Sequence, residues 1–314
     1  MKVIKQHQGF REQYSRCVAT IGKFDGVHLG HQAILGQLKG KASQLGLPSL
    51  VILIEPHPEE FFATGADQCP ARLTTLAEKL ALLETMEVEF VYLLKFDLAL
   101  SQLTAEDYIR SILVDGLGIA AFIVGNDFRY GHQRKGDFQL LQNSGAKFDF
   151  EVIETATCEV DGFRVSSTLV RQQLEAAEFP LAERLLGRPY SISGEVVEGQ
   201  KLGSELGFPT CNVNLHRQRI PLHGIYACEI EVDGKCYAAA VNIGYRPTVT
   251  DQGEALLEAH LLDFNGDLYG RQLEVVFRCK IRGEEKYDSL DILKRQIALD
   301  VQNVREYFSR SNGV

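Results

Sequence analysis

Gly22-Lys23-Phe24-Asp25-Gly26-Val27-His28-Leu29-Gly30-His31 separates two kinds of pattern. Before it, Cys17-Val18-Ala19-Thr20-Ile21 is a short apolar run that reads as a strand. After it, Ile34, Leu35, Leu38, Ala42 and Leu45 recur at helical spacing between Gln32 and Leu45. The two histidines therefore fall at a helix N-terminus, beside free backbone N–H groups and the positive end of the helix dipole. Such a turn is an anion site. Gly30 lets a phosphate approach the backbone closely.

Imidazoles at that position can donate hydrogen bonds to a phosphoryl group whose charge rises in the transition state. The chemistry this suggests is attack on a nucleotide phosphate, with little covalent work for the protein. Zinc is the alternative for His28 and His31, but no nearby Cys, Asp or Glu stands at a familiar ligand spacing.

The rest of the first half alternates strand and helix. Leu50 to Ile54 is a continuous apolar run, as in a strand buried on both faces. Thr75 to Met86 reads as a helix, Phe90 to Leu94 as a strand, and Thr104-Ala105-Glu106-Asp107 as a capped helix start. Ala120 to Val124 and Gly136 to Asn143 continue the alternation as strand and helix. This grammar predicts an α/β domain with a parallel sheet, whose ligands sit beyond the strand C-termini. Around Leu185-Leu186-Gly187-Arg188-Pro189-Tyr190 it changes. Ile225 to Val232 and Lys235 to Ile243 flank Asp233-Gly234, a hairpin signal. Leu256 to Phe264 and Leu268 to Ile281 flank a second expected turn at Asn265-Gly266. The second half reads as a small antiparallel barrel closed by a helix over about Leu290 to Phe308, with Leu293, Ile297, Val301, Val304 and Phe308 as its apolar stripe.

Bulk properties narrow the function classes. The 314 residues suffice for two domains, and 45% of them are hydrophobic. No apolar run is long enough to cross a membrane, and the N-terminus carries no signal-peptide core. A net charge of −9 argues against broad binding to nucleic acid or a membrane surface. The seven cysteines are scattered without a Cys-x-x-Cys pair, which suits reduced thiols and a cytoplasmic location. A two-residue turn at Asp233-Gly234 places Glu231, rather than Cys228, opposite Cys236.

Further candidates follow predicted strands or open helices. Glu55-Pro56-His57-Pro58 precedes Phe61-Phe62, whose rings can face a flat ligand. Gly125-Asn126-Asp127-Phe128-Arg129-Tyr130-Gly131 crowds polar, aromatic and cationic groups into one loop, suited to a ring system bearing a phosphate. Ser166-Ser167-Thr168 opens another helix, with Arg171 one turn in to neutralise charge. In the second half, Thr210 and Asn212 are two apart on an extended segment and project to one face. Their neutral oxygens can hold Mg²⁺ with phosphates and waters completing its shell. Glu258 is either a surface residue or a general base for a hydroxyl. Asn242 to Thr248 ends a strand at a polar bend.

Taken in order, these segments resemble the bifunctional riboflavin kinase/FMN adenylyltransferases, the prokaryotic FAD synthetases, from about Cys17 to Phe308. The resemblance implies a Rossmann-like nucleotidyltransferase domain over residues 1–186 and a riboflavin kinase barrel over 187–314. It implies two ATP-dependent steps: phosphorylation of riboflavin to FMN, then adenylylation of FMN to FAD with release of pyrophosphate. His28 and His31 would stabilise the α-phosphate under attack. Gly22, Phe24, Gly30, Ser167, Thr168 and Arg171 would hold the adenine nucleotide, and Phe62, Asp127, Phe128 and Tyr130 would contact FMN. In the kinase module, Thr210 and Asn212 would hold Mg-ATP, Asn242 would contribute to binding, and Glu258 would activate the hydroxyl. Lys23, Asn126 and Leu169 depart from the family's common residues, as do Leu202 and Ser204 where arginines are frequent. The last two leave open a weakened kinase beside an intact adenylyltransferase. Competing readings are a class I aminoacyl-tRNA synthetase relative, a nucleotidyltransferase for pantetheine phosphate or nicotinate mononucleotide, and a non-catalytic flavin sensor. The missing Lys-Met-Ser-Lys-Ser loop, the fused β domain and the intact His28, His31 and Glu258 count against them in turn.

Overall fold

The computed structural model describes residues 1–5, 10–65, 69–199, 202–217, 219–245 and 255–311. The chain forms two compact units. One comprises Met1–Cys69 and Leu76–Ser166, the other Pro70–Thr75 and Ser167–Val314.

Six parallel strands build the first unit: β1 (Lys2–Ile4), β2 (Cys17–Gly22), β3 (Ser49–Glu55), β4 (Phe90–Lys95), β5 (Ile119–Val124) and β6 (Glu151–Glu154). Their order is β1-β4-β3-β2-β5-β6. Apolar residues on both faces of the central strands require cover on both sides. Ala19, Ile21, Leu50 and Ile52 pack on one face with Tyr108, Ile109 and Leu113. Val18, Val51 and Leu53 pack on the other with Leu35, Leu38 and Leu83. After β2 the chain builds outward through β3 and β4, and it returns to the other flank of β2 with β5. The order therefore reverses between β2 and β5, the switch point where parallel sheets place ligands. The Gly22–His31 turn and the Gly125–Gly131 loop leave the sheet at those two strands.

The second unit holds a closed antiparallel barrel in the order β10-β13-β12-β11-β14-β9. Its strands are β9 (Ser191–Val197), β10 (Cys211–Asn214), β11 (Gly224–Val232), β12 (Lys235–Tyr245), β13 (Ala255–Leu261) and β14 (Gln272–Arg282); β7 (Glu159–Val160) and β8 (Phe163–Arg164) form a short ribbon in the first unit. Tyr226, Cys228, Val241, Leu257, Ala259, Val275 and Phe277 fill the interior. The Phe179–Leu186 helix adds Phe179, whose ring lies 5.9 Å from Tyr226 and stacks at 6.5 Å on Phe277.

The Asp233-Gly234 hairpin forms as expected. Both residues have positive φ, 53° and 77°, and Glu231 faces Cys236 while Cys228 faces Ala239. The second expected turn is corrected. β13 lies between β10 and β12, and β14 between β11 and β9, so the strands flanking Asn265-Gly266 do not pair with each other. An Asn-Gly pair favours a tight turn locally, but barrel closure requires β14 to reach β9. The connecting chain crosses over instead and buries Leu262 and Leu268.

The Leu290–Ser311 helix packs on the outside of the barrel through Val301, Val304, Tyr307 and Phe308, against Ala227, Ala238 and Ala240. Arg282 anchors it with two bonds to Asp300, 2.8 Å from Nε and 2.7 Å from Nη2. Asp300 is buried, so removing it strands a guanidinium in a poorly solvated place. Asp300→Ala is expected to lower the stability of this unit by roughly 2–3 kcal/mol. Urea unfolding followed by circular dichroism tests this, and an unmoved transition would make the pair incidental.

Candidate functional site

His28 is the N-cap of the Leu29–Leu45 helix. Its Nδ1 accepts the backbone N–H of His31 at 3.3 Å. An accepting Nδ1 places the proton of the neutral ring on Nε2, which is then a donor. The His28 and His31 rings stack at 3.7 Å with 14° between their planes, and Phe24 covers His31 at 4.8 Å. The buried Nδ1 of His31 has no hydrogen-bond partner among the described residues. Burial first, and then the charges of His28, Lys79 and Lys23, holds the His31 imidazole well below its ordinary pKa. The His31 ring is thus neutral at pH 7, and His28 presents Nε2 as its donor. Parallel stacked rings do not converge on one metal ion, and no group of three His, Cys, Asp or Glu gathers for a metal among the described residues. The zinc alternative has no geometric support.

The turn is strained. Phe24 and Val27 have φ of 49° and 41°, a region that costs a β-branched residue of order 1–3 kcal/mol. Gly22 and Gly30 make room for the rings. A Cβ at Gly22 would come within 3.1 Å of Phe24, and one at Gly30 within 3.2 Å of the His28 ring.

Two further loops of the first unit carry predicted residues. Phe62 is largely exposed and forms an edge-on cluster with Phe61 and Phe96, at ring distances of 5.1–5.7 Å. Phe128 stacks on Tyr130 at 5.3 Å, and Asp127 pairs with Arg164 at 2.9 Å. Tyr130 is buried, and burial raises its phenol far above the ordinary value. A bridge between Tyr130 and Gly136 closes this loop, and a side chain at 136 would strike the tyrosine ring.

Ser167, Thr168 and Arg171 belong to the second unit, in the Ser167–Glu175 helix. The Arg171 Nε donates to the Ala71 carbonyl at 2.6 Å. In the barrel, register puts Asn212, Glu258 and Asn242 side by side on three adjacent strands: Asn212 faces Glu258, and Glu258 faces Asn242. Leu257 and Ala259 point inward, so this row stands on the outer wall. The Oδ1 atoms of Asn212 and Asn242 are buried without a hydrogen-bond partner among the described residues. Gly199 packs so tightly on the Asn212 amide that any side chain there would overlap it, and a Cβ at Gly203 would lie 2.9 Å from Thr210 Oγ1. Next to Thr210 a cavity of about 240 Å³ is lined by Pro209, Cys211, Phe264, Asp267 and Tyr269, among others. Arg246, Pro247 and Thr248 lie outside the described residues, as do the side chains of Leu202 and Ser204.

Some groups were not singled out from the sequence. Lys79 is fully buried, with Nζ 3.3 Å from His57 Nε2 and 3.8 Å from Glu55 Oε2. Its signal was available, since Lys79 falls on the same helical face as Leu76 and Leu83. Lys23 pairs with Glu59 at 2.8 Å. Phe96 carried no local signal, and the Phe264–Tyr269 segment carried only the turn signal of Asn265-Gly266.

The comparisons agree with the two-part architecture. The family model for FAD synthetase matches residues 10–169, and that for riboflavin kinase matches 186–308. A bifunctional riboflavin kinase/FMN adenylyltransferase of Pseudomonas fluorescens is 49% identical, covering 97% of each chain. That of Escherichia coli K12 is 47% identical over 98% of each. A solved Streptococcus pneumoniae chain described as a macrolide-efflux protein is 30% identical, with a TM-score of 0.80 over 97% of this chain and 98% of its own. Among the described residues no helix is long and apolar enough to cross a membrane. With both family models matched in order and full-length relatives near half identity, the chain belongs to the bifunctional riboflavin kinase/FMN adenylyltransferases.

Proposed function

We propose that, in the riboflavin-to-FMN-to-FAD synthesis this family performs, the Gly22–His31 turn carries adenylyl transfer and the Asn212–Glu258–Asn242 row carries phosphorylation. The observation that supports the first assignment most is the buried, unpartnered Nδ1 of His31, stacked on a capping His28 at the sheet's switch point. A phosphate oxygen of FMN attacks the ATP α-phosphorus. The new P–O bond forms as the Pα–O–Pβ bond breaks, and pyrophosphate leaves. His28 Nε2–H, His31 Nδ1–H and the first N–H groups of the helix donate to the α-phosphoryl oxygens as their charge rises. Gly22, Phe24 and Gly30 shape the turn around the nucleotide. Ser167, Thr168 and Arg171 serve as its further ligands, and Phe62, Asp127, Phe128 and Tyr130 serve the flavin.

In the kinase, Glu258 accepts the proton of the ribityl 5′-hydroxyl as its oxygen attacks the γ-phosphorus and ADP leaves. Asn242 orients the hydroxyl end of the substrate, and the cavity beside Thr210 takes the adenosine. Buried oxygens lacking a proton donor suit a hard cation, so Thr210 and Asn212 would hold Mg²⁺, which neutralises phosphate charge. By activity, the modules divide at 1–186 and 187–314. Free cysteines fit a cytoplasmic enzyme.

Purified protein given riboflavin, ATP and Mg²⁺ is expected to yield FMN and then FAD by chromatography; absence of either product removes the corresponding assignment. His28→Ala is expected to reduce FAD formation by about a hundredfold or more while FMN accumulates. Equal loss of both steps would contradict separate sites. Glu258→Gln is expected to stop FMN formation and spare FAD synthesis from supplied FMN, and intact kinase rates would exclude Glu258 as the base. Gly30→Ala, by pushing the His28 ring aside, should impair only the second step, roughly tenfold or more.

A further inference from the structure

We propose that Lys79 is the fixed cation of the adenylyl-transfer site, a positioning residue that acts through His57 and His31 without touching the reacting atoms. The proposal rests on the assignment of His28 and His31 above. A lysine with no exposed surface is costly to bury, and a leucine would fill the inner stripe of its helix at lower cost. What surrounds it is functional rather than structural in chemistry. An ammonium can only donate, so in its 3.3 Å contact His57 Nε2 is the acceptor. Glu55, which ends β3, stands 3.8 Å away, outside close hydrogen-bond range. Both residues lie where β3 leaves the parallel sheet, at the same C-terminal end as the Gly22–His31 turn on the adjacent strand β2.

The charge of Lys79 reaches His31, where it acts with burial, His28 and Lys23 against protonation. Lys23 itself is shared with Glu59 at 2.8 Å and is partly exposed. His28, Lys23 and Lys79 bear on His31, His57 and Glu55 are among the groups against Lys79, and Glu59 pairs with Lys23. Two neutral imidazoles supply donors but no net charge. A triphosphate meeting a second phosphate needs positive charge, and a buried lysine supplies it without the screening of an exposed one. Removing that charge has two consequences of opposite sign. The site loses a cation, and His31 becomes easier to protonate, so acid restores part of what was lost.

The test compares FAD formation from FMN by wild type, Lys79→Arg, Lys79→Met and Lys79→Met/Glu55→Gln, from about pH 5.5 to about pH 8.5, together with NMR titration of the histidine rings without ligand. The double variant also neutralises the Glu55 carboxylate beside position 79, should Lys79→Met alone fold poorly. The expected result is a kcat reduced about tenfold or more at high pH, KM values changed far less, and a deficit that shrinks toward low pH. The His31 titration should rise, and Lys79→Arg should keep the wild-type pH profile. A deficit independent of pH with His31 unmoved, or no deficit at all, would overturn the proposal. Retained FAD synthesis in His28→Ala would instead overturn the site assignment beneath it.

Discussion

One hydrogen bond organises the N-terminal site: His28 Nδ1 accepts the N–H of His31, three residues on in the same helix. A serine or aspartate in that cap position would satisfy the same orphan donor. Histidine does so while committing its remaining proton to Nε2 and laying its ring flat. The ring then stacks on His31, whose buried Nδ1 has no hydrogen-bond partner among the described residues. Helix capping, ring orientation and tautomer are a single constraint. The positive φ at Phe24 and Val27 is the strain that brings the chain into that cap within one short loop.

In the barrel, the analogous constraint is register. Asn212, Glu258 and Asn242 are far apart in sequence, yet antiparallel pairing sets them in one row. A slip of one residue in β13 would turn Glu258 inward among Val213, Val241 and Val275 and expose Leu257 in its place. The apolar interior therefore holds the polar row on the outer wall. Gly199 and Gly203, pressed against Asn212 and Thr210, cover one end of it.

Local patterns made much of this legible. Periodicity located the strands β2 to β5 and the helices between them, because each buries residues at its own period. The Asp233-Gly234 turn fixed a register correctly, since a two-residue loop leaves one pairing. Asn265-Gly266 misled for the complementary reason: it reports a local preference, whereas β13 and β14 are separated by a barrel-closing requirement that no short window contains. The histidine turn was visible as spacing, but the stacking was not, because it depends on rotamers. Lys79 was read past as one more residue in an amphipathic helix, although a cation among Leu76, Leu80 and Leu83 is where charge should not be. An unfavourable residue inside a favourable pattern carries more information than the pattern itself.

The net charge of −9 sharpens how such a chain handles polyanions. A net negative charge disfavours ATP and FMN at long range, though salt limits its reach to about 8–10 Å. The attraction must then be local. Backbone N–H groups at a helix start carry no net charge, and a neutral imidazole adds a donor without adding charge. In the proposed adenylyl-transfer site these donors recognise phosphate by geometry, so they hold a substrate in one orientation without a strong electrostatic trap for the product. Where charge itself is needed, as the α-phosphate is attacked, a lysine kept out of solvent gives a field that counterions cannot dilute. Few cations, placed deeply, accomplish what a basic surface would do indiscriminately.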